Sequence, residues 1–313
     1  MLKHMNKQFN LLFVYYNKLS NWGKILVFSI LLIILASVFK KNNAREGFQQ
    51  SDQFIVKNGT DMYDDFYVDI YDYLVYNNVK DDYEIGEIIN KTSPTEQSIV
   101  LDVGSGTGHH VGELTNKKIN AIGLDISPNM VAKAKENYPT SNFKVGDILN
   151  PNAFPPGHFT HITCLYFTIY YFKDKRQFFQ NCMGFLKPGG YLIIHLVNRN
   201  KFDPILPPGN PLIAISPQRY AKERITTTKI KFDDFEYDAD FKLDADKNTA
   251  TFVEKFKNDN NEKVRKHEHQ FYMESQEEIL SQAQNAGFLL DSKIDLIKVS
   301  YEYQYLYVLT KPN

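Results

Sequence analysis

From Ser98 to the end of the chain, short apolar runs take turns with stretches in which apolar residues recur every three to four positions. The runs near 98–103, 119–125, 142–145, 162–167 and 191–197 read as buried strands. The stretches near 108–116, 128–138 and 174–186 read as helices between them, and Lys187-Pro188-Gly189-Gly190 marks a turn before the fifth strand. Strands alternating with helices predict a parallel, doubly wound sheet. Upstream, a helical period begins at Asp61, with Phe66, Ile70 and Leu74 on one stripe and Tyr63, Tyr67 and Tyr71 on the next. Downstream, Asn198 to Pro217 carries five prolines and reads as a covering loop. Phe232–Leu243, Thr249–Phe256 and Val264–Met273 then alternate with a period of two, separated by Asp/Asn/Lys-rich turns, and predict antiparallel strands. A helix over Ser275–Ala286 and strands near 288–297 and 303–310 complete a seven-stranded α/β sheet of Rossmann-like type. Residues 198–273 are therefore an expected insertion after the fifth strand, above the strand carboxyl ends where such sheets bind ligands.

The N-terminus has a different pattern. Ile25 to Phe39 holds no charge and only Ser29 and Ser37 as polar residues. Fifteen helical residues span about 22 Å, against a hydrocarbon core of about 30 Å. Trp22 and Gly23 lengthen the run, and Lys24, Lys40 and Lys41 can snorkel to headgroups. The reading is one transmembrane helix over 22–41, after a cytoplasmic or interfacial segment 1–21 and before a linker 42–60 and the α/β domain 61–313. A cleaved signal peptide is the competing reading; the long lysine-bearing lead and the lack of a small-x-small site before Lys40 argue against it. Flanking lysines balance on the two sides, so charge leaves orientation open.

Composition narrows the class. The 313 residues are 43% hydrophobic and 23% charged with a net charge of −1, as in ordinary globular proteins. No dense Lys/Arg run is present, so nucleic acid is not an expected partner. Cys164 and Cys182 fall on a predicted core strand and the following helix, and read as free thiols.

The chemistry concentrates in Ile99-Val-Leu-Asp-Val-Gly-Ser-Gly-Thr-Gly108, a strand turning sharply into a helix with little side chain to hold a ligand off the backbone. A dinucleotide fingerprint would set its third glycine at His109; here it stands at Gly108. Ala121-Ile-Gly-Leu-Asp125 then ends a second strand in a carboxylate, Ser127-Pro128-Asn129-Met130 starts a helix, and Asp147-Ile148 follows a third strand. This order resembles the class I S-adenosylmethionine (SAM)-dependent methyltransferases. The resemblance implies that Gly104, Ser105, Gly106 and Gly108 admit the donor's amino-acid end, with Asp102 orienting the turn or the donor ammonium. It implies that Asp125 takes the ribose hydroxyls and that Ile126 and Met130 flank the adenine. Asp147 and Ile148 would meet the adenine edge, and the backbone near Leu165 the methionine portion. Because SAM is made in the cytosol, the domain after the anchor is expected to face it.

The acceptor is less defined. The fourth strand lacks an Asn-Pro-Pro-Tyr-like motif and continues as Cys164-Leu-Tyr-Phe-Thr-Ile-Tyr-Tyr171. With Tyr71-Asp72 in the early helix and Tyr301-Glu-Tyr-Gln-Tyr-Leu-Tyr-Val-Leu309 near the end, this is similar to small-molecule N-methyltransferases of the glycine/sarcosine and amino-sugar types, over residues 63–311. The resemblance implies methyl transfer to a small-molecule nitrogen. Tyr67, Tyr170 and His195 are the candidate catalytic residues. Tyr171, Arg265, His267 and His269 are the candidate substrate contacts, the last three projecting from one strand face. They equally suit core packing or a wet sheet face. Two histidines without a nearby cysteine give no expected metal site. Lipid-headgroup or quinone methylation and a non-catalytic SAM-binding scaffold are the alternatives, the first favoured by the anchor and opposed by the polar insertion.

Overall fold

A parallel sheet of this kind needs both faces covered, and the strands here are bordered by helices with one apolar stripe each. The computed structural model describes residues 20–30, 54–204, 221–232, 235–258 and 263–313. The chain divides into two units, Met1–Phe48 and Gln49–Asn313. In the first, residues 21–30 are helical. Among the described residues no helix is long and apolar enough to cross a membrane. The rest of the expected span, the segment before residue 20, most of the expected linker and most of the proline-rich loop lie outside the described residues.

The second unit opens with β1 (Phe54–Asn58), α1 (Asp65–Val75) and α2 (Asn78–Thr92). The alternating part follows as β2 (Ile99–Val103), α3 (His109–Asn116), β3 (Asn120–Asp125), α4 (Pro128–Asn137), β4 (Asn142–Val145), β5 (Phe159–Cys164), α5 (Lys175–Phe185) and β6 (Leu186–Val197). Four insertion strands come next: β7 (Thr227–Lys231), β8 (Phe235–Asp244), β9 (Thr249–Asn258) and β10 (Val264–Tyr272). The chain closes with α6 (Gln276–Asn285), β11 (Leu289–Asp295) and β12 (Gln304–Thr310).

The seven-stranded sheet has the order β11-β12-β6-β5-β2-β3-β4. Its strands β4, β3, β2, β5 and β6 pair in parallel, and β12 runs antiparallel to both neighbours. Strand order reverses between β2 and β5, so their carboxyl ends splay into a crevice. Helix starts are set by side chains that accept backbone N–H bonds: Asp64 for α1, Asn77 for α2, Ser127 for α4, Asp174 for α5 and Ser275 for α6. Each such cap contributes about 1 kcal/mol.

The five-stranded sheet has the order β1-β10-β9-β8-β7, with β1 parallel to β10 and the rest antiparallel. Phe235, Tyr237, Phe241, Glu254, Phe256, Arg265, His267 and His269 alternate onto its buried face. Phe66 and Tyr67 of α1 pack edge-on against Phe256 on that face. Lys175 ties the two sheets together, its buried ammonium bonding the carbonyls of Phe172 and Tyr272 and the Glu274 carboxylate at 2.6–3.0 Å.

Several elements depart from the sequence reading. Phe54–Asn58, expected in the linker, is a strand because β10 supplies a partner some 200 residues away. Helix α2 was not predicted: its stripe is only Ile85 and Ile88, with Lys80 and Glu84 buried beside them. Strand β5 stops at Cys164 instead of running to 167, and the aromatic run continues into a 3-10 turn over Thr168–Tyr171. Strand β6 begins at Leu186, so Lys187-Pro-Gly-Gly190 lies within it, with Gly189 and Gly190 bonded to Lys311. The polar pentapeptide of β7 adds a strand to the expected three.

Candidate active site

The crevice holds a cavity of about 370 Å³, within the range of small-molecule sites of about 300–1,000 Å³. Its floor is the turn after β2. Gly106 has φ +52°, and a Cβ there would meet only Tyr71, in ordinary contact at 3.8 Å. The Gly106 N–H donates to Asp125 Oδ2 at 2.9 Å and the Ser127 N–H to Oδ1 at 2.8 Å. These bonds aim the carboxylate at the end of β3. Burial pushes its pKa up against the lowering by the N–H groups of Ser127, Gly106 and Ile126. Ile126, half-exposed, and Met130, buried, line the same cavity, as do Gly104, Asp147 and Ile148. Asp147 Oδ1 accepts the Leu149 N–H at 2.8 Å, and Asn181 holds the Ile148 carbonyl at 2.8 Å.

Four of the expected donor residues lie behind this wall. Asp102 is buried beneath the turn and accepts the Thr163 hydroxyl at 2.7 Å; burial raises its pKa. Ser105 packs over Gly123. Gly108 has φ +93°, and a Cβ there would come within 2.7 Å of Phe143, so it is a packing position between α3 and β4. Leu165 is buried in the core, and the next residues, Tyr166, Phe167 and Thr168, line the cavity instead.

The other half of the cavity is aromatic. Tyr67 and Tyr71 project from α1, Tyr63 from the loop just before it, Tyr171 from the 3-10 turn, and Phe252 and Phe271 from the insertion. Among them sits Glu254. The Tyr67 hydroxyl donates to its Oε2 at 2.6 Å and the Tyr237 hydroxyl to its Oε1 at 2.8 Å. His269 Nε2 lies 2.8 Å from Oε2, and His269 Nδ1 lies 2.6 Å from the Tyr171 oxygen. Burial opposes ionisation of Glu254, but His269, then His267 and Tyr67, hold its pKa below the ordinary glutamate value. A buried anion inside an aromatic cage results.

The remaining expected residues stand elsewhere. Tyr170 is fully buried and its hydroxyl accepts the Val197 N–H at 2.8 Å, a structural bond. His195 is fully buried in β6 opposite Leu306, away from the cavity, and burial takes its pKa to about 3. Arg265 pairs with Asp64 and donates to His267 Nε2 at 2.7 Å, linking the insertion to the start of α1. His267 is buried against Tyr67 and does not line the cavity. Of the expected catalytic and substrate residues, Tyr67, Tyr171 and His269 converge on the cavity. Glu254 was not singled out. Its signal was an acid on the otherwise apolar even-numbered face of Phe252, Glu254 and Phe256.

A second polar cluster lies outside the cavity, where Asp81, Glu84 and His110 bring three metal-capable atoms within 4.8 Å. Lys80 Nζ already sits 2.7 Å from Glu84. Burial opposes both charges, yet Lys80 and His110 bring Glu84 down to about 2, and Asp81, Glu84 and Asp102 raise His110 to about 9. The carboxylates thus have cationic partners within the chain. His110, raised in the folded state, stabilises the fold fully below about pH 6.5 and ceases to do so as pH rises through about 9. Buried His195 and His267, each lowered to about 3, and His161, lowered to about 4, stabilise it above about pH 6.5, and that is lost as pH falls toward 3–4. Denaturant midpoints should therefore peak near pH 6.5–7, with a loss on the order of 2–3 kcal/mol by pH 9.5 that His110→Asn removes. A flat alkaline arm in the wild type would refute the coupling.

Residues 101–194 match the methyltransferase domain family. Among curated proteins, the chain is 33% identical over 116 residues to a dTDP-4-amino-2,3,4,6-tetradeoxy-D-glucose N,N-dimethyltransferase of Saccharopolyspora spinosa, covering 36% of this chain and 46% of that one. It is 28% identical over 142 residues to a dTDP-3-amino-3,4,6-trideoxy-alpha-D-glucopyranose N,N-dimethyltransferase of Streptomyces venezuelae, covering 42% and 58%. The chain thus spans about half the length of the curated relatives it matches. In fold it is similar to an S-adenosylmethionine-dependent methyltransferase from Clostridium acetobutylicum, with TM-score 0.60 and 18% identity over 79% of this chain and 98% of that one.

Proposed function

We propose that this chain, a class I SAM-dependent methyltransferase, methylates the amine nitrogen of a small amino sugar or similarly hydroxylated amine. The observation that carries the reading is Glu254, a buried carboxylate in an aromatic cage that opens on the same cavity as Gly106 and Asp125. The cofactor is SAM, and the residues present suit it. Gly106 leaves room where a side chain would stand, Asp125 offers carboxylate oxygens fixed by backbone N–H groups, and Ile126 and Met130 supply apolar walls. When bound, SAM supplies a methyl carbon already activated by its sulfonium. The chain's own part is to orient the acceptor, exclude water and remove a proton.

Among the described residues lining the cavity, three are carboxylates and none is lysine or arginine. Such a wall favours cations and disfavours an anionic headgroup held at this point. Aromatic faces add about 0.5–2 kcal/mol for an ammonium. The amino-sugar substrates in the names of the curated relatives agree with this class.

The test is a mass-spectrometric screen with SAM against 3-amino-3-deoxyglucose, 4-amino-4-deoxyglucose, ethanolamine, glycine and a phenol. Gain of one or two methyl groups on an amino sugar is expected. Methylation of the phenol alone would replace the amine reading. Anchoring by residues 22–41 with the domain facing the cytosol belongs to the same proposal. Membrane fractionation of the full chain beside a variant lacking residues 1–45 checks it, with the full chain alone expected in the membrane fraction.

A further inference from the structure

Glu254 is poorly placed to act as a base by itself. Its Oε2 takes bonds from Tyr67 and His269 and its Oε1 one from Tyr237, and its pKa is low. The hydrogen-bond logic fixes the next group. An ionised carboxylate only accepts, so His269 must carry its proton on Nε2, facing Glu254. Its Nδ1 lone pair then faces the Tyr171 hydroxyl at 2.6 Å. Tyr171 is the outer end of this line, 37% exposed and lining the cavity.

We infer that Tyr171, His269 and Glu254 form a proton relay that deprotonates the acceptor's ammonium before methyl transfer. This rests on the amine reading above. One N–H bond of the ammonium breaks and its electron pair stays on nitrogen as the nucleophilic lone pair. The proton passes to the Tyr171 oxygen as the original Tyr171 proton moves to His269 Nδ1. The result is an imidazolium held against the Glu254 carboxylate, with tyrosine neutral before and after. Tyr171 is the catalytic residue; His269 and Glu254 act through it.

The arrangement suits a concerted step. Burial, Tyr63, Tyr71 and Glu254 all disfavour a free Tyr171 phenolate, so the hydroxyl exchanges protons without ionising. The other titratable groups around the line are Tyr63 from the loop before α1, Tyr67 and Tyr71 from α1, Tyr237 from β8, and Arg265 and His267 from β10. Arg265 donates to His267 Nε2, which leaves the His267 proton on Nδ1, 3.9 Å from Glu254 and too far to replace His269. Lys175 joins the Tyr171 turn to the end of β10 and so fixes Tyr171 relative to the strand that carries His269.

The experiment compares wild type, Tyr171→Phe and His269→Gln on the best amino sugar of the screen, with kcat and KM measured from pH 6 to pH 10. Both variants should lose about 10²-fold in kcat near pH 7. Above the amine's own pKa, where the acceptor arrives as free base, they should return to within a few fold of wild type. Calorimetric binding of S-adenosylhomocysteine should be unchanged, showing an intact donor site. If His269→Gln unfolds, Tyr171→Phe, which removes one hydroxyl from the cavity wall, carries the test. An equal loss at every pH, or no loss at pH 7, overturns the relay while leaving the amine reading in place. A wild type that methylates no amine overturns both.

Discussion

Gly106→Arg is expected to lower affinity for S-adenosylhomocysteine by at least about 10³-fold, measured by calorimetry on a folded variant. The glycine adopts φ +52°, and a side chain from that position enters the cavity beside Tyr71. A single Cβ costs mainly backbone strain, of order 1–3 kcal/mol, so Gly106→Ala should remain partly competent. Arginine adds bulk that no relaxation of the floor can absorb. It also sets a guanidinium beside Asp125, where it would occupy the carboxylate oxygens proposed to receive the ligand. Asp125→Ala separates the two effects. It empties the space, removes the acceptor of the Gly106 and Ser127 N–H groups, and should weaken binding by about 10²-fold, in line with loss of charge-assisted hydrogen bonds of about 1.5–3 kcal/mol each. Tight binding by folded Gly106→Arg would place the donor elsewhere in the protein.

The Gly106 half of the cavity was legible in the sequence because its parts are local. Gly106, Asp125 and Met130 lie within 25 residues, and the strand–turn–helix units between them announce which backbone ends meet. The same spacing also takes in Gly108, which packs against Phe143, whereas at the backbone near Leu165 it is the next residues, Tyr166 to Thr168, that line the cavity. The aromatic half was not legible, because it joins residues as far apart as Tyr67 and Glu254, 187 positions, through packing of α1 on the insertion sheet that alternation alone cannot place. Tyr170 and Tyr171 show how fine the distinction is. Neighbours in one 3-10 turn, they send one hydroxyl to the Val197 backbone and the other to the cavity. His195 was misassigned for a different reason. Its side chain lies near Lys80 and Glu84 of α2, a helix too polar for its apolar period to be read, so the end of β6 looked open when it is covered.

Glu254→Gln should lower kcat/KM for an amine acceptor by about 10²–10³-fold near pH 7. The substitution keeps volume and removes the charge that both attracts the ammonium and stabilises an imidazolium at His269. It also disturbs bonding: three donors converge on the carboxylate, and an amide supplies only one oxygen to receive them. Tyr67 or Tyr237 must then turn its hydroxyl to accept from the new NH2 group, at a stability cost of about 1–3 kcal/mol that denaturant unfolding will register. Two readouts keep that cost apart from the chemistry. Affinity for S-adenosylhomocysteine should hold, since Asp125 and the Gly106 turn lie in the other half of the cavity. Alkaline pH should bring both kcat and KM back toward wild type, because a neutral amine needs no proton removed and is not drawn by the carboxylate charge. A hydroxyl or phenol acceptor would be ionised less readily beside the anion, so Glu254→Gln would then speed methylation. A rise in activity on any acceptor would therefore point away from nitrogen.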